Sequence, residues 1–130
     1  MRLAENAKVE HLWIAADIGE FVSENGARNQ LEGGAIQATS IALLEEARFA
    51  SDLDETADWE HYPILKFSEV PQVTLALMPS QDQPSQGAGE AASAPVVAAI
   101  ASAIYQVIGT PMRSLPFKPE TIASAIHHSN

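Results

Sequence analysis

The sequence predicts an α+β fold, α/β-like in its element order, with helices packed on one face of a mixed sheet. Three observations predict it. An apolar run of strand length lies near the start, an alanine-rich stretch repeats at helical spacing, and a second apolar helical stretch lies between Pro95 and Gly109. The 130 residues, 46% of them hydrophobic, suffice for one domain with a modest core. No internal repeat or interdomain linker interrupts them, so residues 1–130 are read as a single domain or fragment.

The first strand is Lys8 to Gly19, where Val9, Leu12, Trp13, Ile14 and Ala15 give a mostly apolar run. A buried strand this close to Met1 needs partners on both sides, which suggests a sheet entered midway. Asn25-Gly26 marks a turn. Asn29 and Glu32 have the spacing of a capping box, and Leu31, Ala35, Ala38 and Ala42 repeat helically, so a helix is predicted from about Gln30 to Glu46. Phe49 to Pro63 is acidic and reads as a solvated loop, a carboxylate metal site being the alternative. Ile64 to Phe67 is a short candidate strand, and Val73 to Met78 a better one, ended by Pro79.

Pro79 to Gly89 is a polar loop. Pro95 suits a first helical turn, and Val96, Ala99, Ile100, Ala103, Ile104 and Val107 form the apolar face of that helix, with Gly109 as its C-cap. Pro111 and Pro116 lie in an extended link, and Pro119-Glu120 opens a last helix to about Ala125. The order is β-α-β-β-α-α.

Composition excludes several functions. Seven Lys+Arg against 17 Asp+Glu give 7 − 17 = −10, the wrong sign for a nucleic-acid face or an anionic membrane surface. The absence of cysteine removes disulfides, thiolate metal sites and cysteine nucleophiles. No apolar run approaches the ~20 residues of a membrane span. The four histidines form no metal-binding spacing, and no P-loop or G-x-S-x-G elbow occurs.

What remains is the stretch PSQGAGEAASAP, residues 84–95, with one charge in twelve residues. Glu90 there is either a carboxylate favoured by the following helix N-terminus or a general base held on a tight loop. Gly87, Ala88 and Gly89 leave it without bulky neighbours. Gln30 offers an amide edge that suits a pterin or nucleobase and equally a surface position. Gly33-Gly34 in a helix points to close approach of a ligand or to a crowded helix–sheet crossing.

Three segments in order, NQLEGGAIQATSIALLEEARF (29–49), DWEHYPILKFSEVP (58–71) and GAGEAASAPVVAAIASAIYQVIGTPMRSLPF (87–117), resemble the C-terminal end of the molybdenum hydroxylases. These are the molybdopterin-binding subunits of the xanthine dehydrogenase and aldehyde oxidase family, nearest in flavour to the bacterial isoquinoline 1-oxidoreductase beta type. The resemblance runs from about Val9 to the end and implies the C-terminal part of a molybdopterin-binding domain. It implies Glu90 as the catalytic base beside molybdenum, in hydroxylation of an aldehyde or N-heterocycle with oxygen from water. It implies Gln30 as a hydrogen-bonding partner of the molybdopterin, Gly33 and Gly34 as the room for it, and Gly87, Ala88 and Gly89 as loop backbone near it. No protein residue is implied as a metal ligand. The implied partners are the rest of a several-fold longer large subunit and an iron–sulfur subunit, with the compartment, cytoplasmic or periplasmic, left open.

Two departures stand beside it. The first strand ends in Asp17-Ile18-Gly19-Glu20 where the family carries D-C-G-R or a similar turn. The chain also lacks the upstream pterin-contacting loops and pocket residues, so alone it is expected to retain no cofactor and to be inactive. The alternative is a non-catalytic acidic α/β module derived from that family, folding alone or as an oligomer.

Overall fold

The structure, a computed structural model, describes residues 7–50, 53–54, 58–79 and 82–127. Its centre is a parallel pair of strands, β1 (His11–Ala16) and β4 (Gln72–Leu77), in register from His11 opposite Gln72 to Ala16 opposite Leu77. Side chains alternate across the pair. Leu12, Ile14 and Ala16 of β1, with Val73, Leu75 and Leu77 of β4, face the core, while Trp13 and Thr74 face solvent.

Two long helices fill the covered face. Helix α1 (Glu24–Leu43) packs against β4 and against α2 (Ser93–Ile108). Ala35, Ala38 and Ala42 form a buried small-residue stripe on α1, which lets the helices approach closely. Leu31 and Ile104 are fully buried between these layers, each contributing about 1.5–3 kcal/mol by burial. The short α3 (Pro119–His127) adds Ile122 to the same core. The predicted α+β class and the helices on one face are therefore present.

Several boundaries differ from the sequence reading, each for a local reason. Helix α1 starts six residues earlier than expected. Ser23, in extended backbone, accepts the Gly26 N–H on its Oγ at 3.1 Å, so it caps the helix. Asn25-Gly26 thus lies in the first helical turn and makes no separate turn, and Asn29 with Glu32 is interior. Gly33-Gly34 then falls at mid-helix. The helix ends at Leu43, where the Phe117 N–H takes the Ala42 carbonyl at 2.7 Å.

Ile64 to Phe67 is not a strand. The Leu65 N–H goes to Ser40 Oγ at 3.0 Å, and the Lys66 N–H goes to Glu69 Oε2 at 3.1 Å at the start of a 3-10 turn, Phe67–Glu69. Those donors have partners without a neighbouring strand. In the acidic loop, β2 (Phe49–Ala50) and β3 (Leu53–Asp54) make a minimal antiparallel ladder. Asp52 and Glu55 of the conceivable metal site lie outside the described residues. Asp58 is taken up by a turn, accepting the N–H groups of Glu60 and His61 at 3.0 Å each, and no group of three or more His, Asp or Glu among the described residues is placed to hold a metal. The C-cap at Gly109 is as expected: φ is 74° and its N–H reaches the Tyr105 carbonyl at 2.8 Å.

Candidate functional site

Parallel strands end on the same side, so the segments after β1 and β4 emerge together. Ligands in such sheets bind outside the carboxyl ends of the strands. Here the two emerging segments are stitched by main chain. The Met78 N–H reaches the Ala16 carbonyl at 2.9 Å, the Gln86 N–H the Ile18 carbonyl at 2.8 Å, and the Glu20 N–H the Gln83 carbonyl at 2.9 Å.

Gly19 makes the stitching possible. Its φ is +64°, its N–H donates to Asp17 Oδ1 at 3.1 Å, and a Cβ there would run into the Pro84 carbonyl oxygen. Both requirements single out glycine. Sequence reading found this turn only as a departure from the family pattern; a glycine closing an apolar strand was the one signal available.

From Pro84 the chain crosses to α2. Gly87 takes φ +80°, another conformation that favours glycine, and Ala88 packs on the core. The Gln30 Nε2 on α1 donates to the Gly89 carbonyl at 3.2 Å, which ties the loop to the helix. The Glu90 carbonyl accepts the Ser93 N–H at 3.1 Å, leading into the first turn of α2. The Glu90 side chain itself is exposed.

A cleft of about 680 Å³ opens between these pieces. Phe21, Ser23 and Gln30 border one side, and Ser85, Gly87 and Gly89 the other. The amino end of α1 therefore faces the cleft, and its unpaired N–H groups favour partial negative charge there.

The structure brings Gln30, Gly87, Ala88 and Gly89 together around this cleft and sets Glu90 next to it in the chain. The two helical glycines separate. A Cβ on Gly34 would meet Ala92 Cβ at 3.8 Å and Gly89 O at 3.9 Å, so this buried residue sits under the loop at ordinary contact distance. A Cβ on Gly33 would meet nothing within 4 Å, because Gly33 faces outward. No described part of the chain accounts for a glycine there.

Residues 3–71 match the molybdopterin cofactor-binding domain family. The chain belongs to that family. The match takes in β1 and α1, with Gln30, Gly33 and Gly34. Full-length relatives extend it: a nicotinate dehydrogenase subunit of Pseudomonas putida is 38% identical over 118 residues, 91% of this chain and 10% of that protein. The beta subunit of isoquinoline 1-oxidoreductase from Brevundimonas diminuta is 32% identical over 118 residues, 91% of this chain and 15% of that protein. Among solved structures, the aldehyde oxidoreductase of Desulfovibrio desulfuricans superposes with a TM-score of 0.79 at 28% identity, covering 95% of this chain and 14% of the other. Quinoline 2-oxidoreductase of Pseudomonas putida gives 0.77 at 26%, covering 92% and 16%. The chain thus spans between a tenth and a sixth of the length of these proteins.

The cleft fits a molybdopterin cofactor as one wall of a site. Its rim is glycine backbone, a helix amino end and one planar amide, all able to hydrogen-bond a flat heterocycle, and no bulky side chain of the 87–89 loop closes it.

Proposed function

We propose that this chain supplies one wall of the cofactor site in a molybdenum hydroxylase acting on an aldehyde or an N-heterocycle. The observation that carries the reading is the glutamate loop fixed at the carboxyl ends of β1 and β4 by main-chain bonds and by Gln30. When bound, the molybdenum cofactor supplies the two-electron oxidation, with water as the source of oxygen. Gln30 and Gly34 on α1, and the Gly87–Gly89 backbone, hold the pterin edge, with Gly33 presenting a bare helical surface to it. Glu90 is the general base: exposed, flanked by small residues, and positioned to take a proton at its carboxylate oxygen. The rest of the large subunit contributes the facing wall and the substrate pocket, and an iron–sulfur subunit carries electrons away. The isolated chain neither retains the cofactor nor turns over substrate.

The test is metal and pterin analysis with turnover assays on the assembled enzyme that contains this chain, wild type beside Glu90→Gln. Both forms are expected to carry molybdenum and pterin, with turnover in the variant down by about 10²–10⁴-fold, the scale of a lost general base. A variant with full cofactor and undiminished turnover would remove Glu90 from the chemistry. Stoichiometric molybdenum on the isolated chain would remove the shared-wall reading.

A further inference from the structure

The central sheet has two strands and hence two open edges, and the two edges are not equivalent. The Glu10 and Ala16 carbonyls accept from Gln72 and Met78 of the β4 side. This fixes the parity of the ladder, because alternate residues of a strand direct both backbone groups to the same neighbour. Residues 10, 12, 14 and 16 face β4. The N–H and C=O groups of His11, Trp13 and Ala15 therefore face the open edge of β1.

On the far side of β4, the same parity turns Val73, Leu75 and Leu77 outward. That edge is covered at its centre. Arg28 Nη1 donates to the Leu75 carbonyl at 3.1 Å, and the guanidinium is itself held by Glu24 at 2.8 Å. A strand arriving there would have to displace an ion-paired arginine from the middle carbonyl.

The β1 edge opens on a groove instead. Two adjoining hollows of about 350 and 360 Å³ run along it between β1 and α2, sharing Leu12, Trp13 and Ala99. Val96 and Ala103 of α2 extend the lining, so the floor is almost wholly apolar. At its upper end the groove reaches Ala91 and Ala92, beside Glu90. A row of open backbone groups above an apolar floor is the arrangement a further strand uses: its backbone bonds the edge, and its alternate side chains drop onto the helix.

We propose that the β1 edge accepts, as the third strand of this sheet, an extended segment with apolar alternate residues from the remainder of a molybdopterin-binding subunit. The relatives supply the argument for this occupant. The stretch matched here is 10% and 15% of two of them, so most of such a subunit lies outside it. The added strand runs up to the Glu90 loop and carries its own chain to the edge of the cofactor cleft. The inference rests on family membership alone. It is read on cofactor-free protein, so its failure and the failure of Glu90 as base are separate results.

The experiment is backbone hydrogen exchange on the full 130-residue chain, alone and with peptides of about 12 residues tiled across the rest of the Pseudomonas putida nicotinate dehydrogenase subunit. In the chain alone, the amides of Trp13 and Ala15 are expected to exchange fast and those of Leu12 and Ile14 slowly. One peptide with alternating apolar residues is expected to slow Trp13 and Ala15 by about tenfold or more. Ala15→Pro removes an N–H that does not face β4, a change an edge strand tolerates. It is expected to keep the far-ultraviolet spectrum and lose the peptide's protection. The proposal is overturned if no peptide protects these amides, or if they are protected in the dilute chain alone. Protection that rises only with chain concentration would overturn it too, since a second copy would then cover the edge. So would protection that survives Ala15→Pro.

Discussion

Gly19 and Gly33 are both glycines, yet they respond oppositely to an added methyl. Gly19 combines φ +64° with a blocked Cβ position, so Gly19→Ala is expected to cost about 1–3 kcal/mol from the backbone alone, and more from the clash with Pro84. Urea unfolding followed by circular dichroism reads this directly. Gly33 is exposed at mid-helix with open space around it, so Gly33→Ala is expected to stabilise the isolated chain by about 0.5–1 kcal/mol. In the assembled enzyme the same change is expected to lower molybdenum and pterin occupancy, since the cofactor is proposed to lie against that surface. Stabilisation with undiminished occupancy would leave this glycine without a role. Sequence reading grouped Gly33 and Gly34 because they are adjacent; on a helix, neighbours point about 100° apart, and only Gly34 lies beneath the loop.

At the scale of elements, the helices are held by caps and by close packing. Ser23→Ala is expected to lower stability by about 1 kcal/mol through loss of the Gly26 N–H partner. Ala38→Leu, in the buried stripe facing α2, is expected to cost about 1–3 kcal/mol by overpacking. Thermal melts of the two variants compare them. The existence and type of β1, α1, β4, α2 and α3 were legible in the sequence because hydrophobic period and Gly109 as a cap are local signals. The true start of α1 was less so: Ser23 carries the cap, but Asn25-Gly26 and the Asn29–Glu32 spacing imitate a turn and a later start. The Ile64–Phe67 error has a tertiary cause, since a serine on α1 takes the backbone donor a strand partner would have taken. At the candidate site, Glu90 and Gln30 stood out from motif order, whereas the Gly19–Pro84 approach joins residues 65 positions apart and has no local trace.

For the whole molecule, ion pairs join distant parts of the chain. Lys118 Nζ lies 2.8 Å from Glu46 Oε2 and binds the start of α3 to the end of α1. The Lys118 hydrogen bond, with Arg48 beside it, holds the Glu46 carboxyl below its ordinary value of 4.5. A carboxyl lowered by folding stabilises the native state above that ordinary value, and the gain is lost as pH falls through the lowered one. Glu46→Gln is therefore expected to flatten the acid limb of the melting temperature below pH 4.5, a comparison made by calorimetry across pH. At the alkaline end, the Tyr62 hydroxyl donates to Glu45 at 2.9 Å, and this bond raises the phenol above its ordinary 10.0. Its contribution is complete below that value and lost as pH rises through the raised one. Tyr62→Phe is expected to leave the acid limb unchanged and to flatten the alkaline one.

The bonds that fix the glutamate loop to the first strand run between main-chain groups: Glu20 to Gln83 and Gln86 to Ile18. Main-chain groups are the same whatever side chains a position carries. Positions 83, 85 and 86 are thus free to vary in chemistry while the loop keeps its place, and only Gly19 beneath them is pinned. The arrangement separates where the carboxylate stands from what surrounds it. Randomising those three positions would explore new surroundings for Glu90 without moving it.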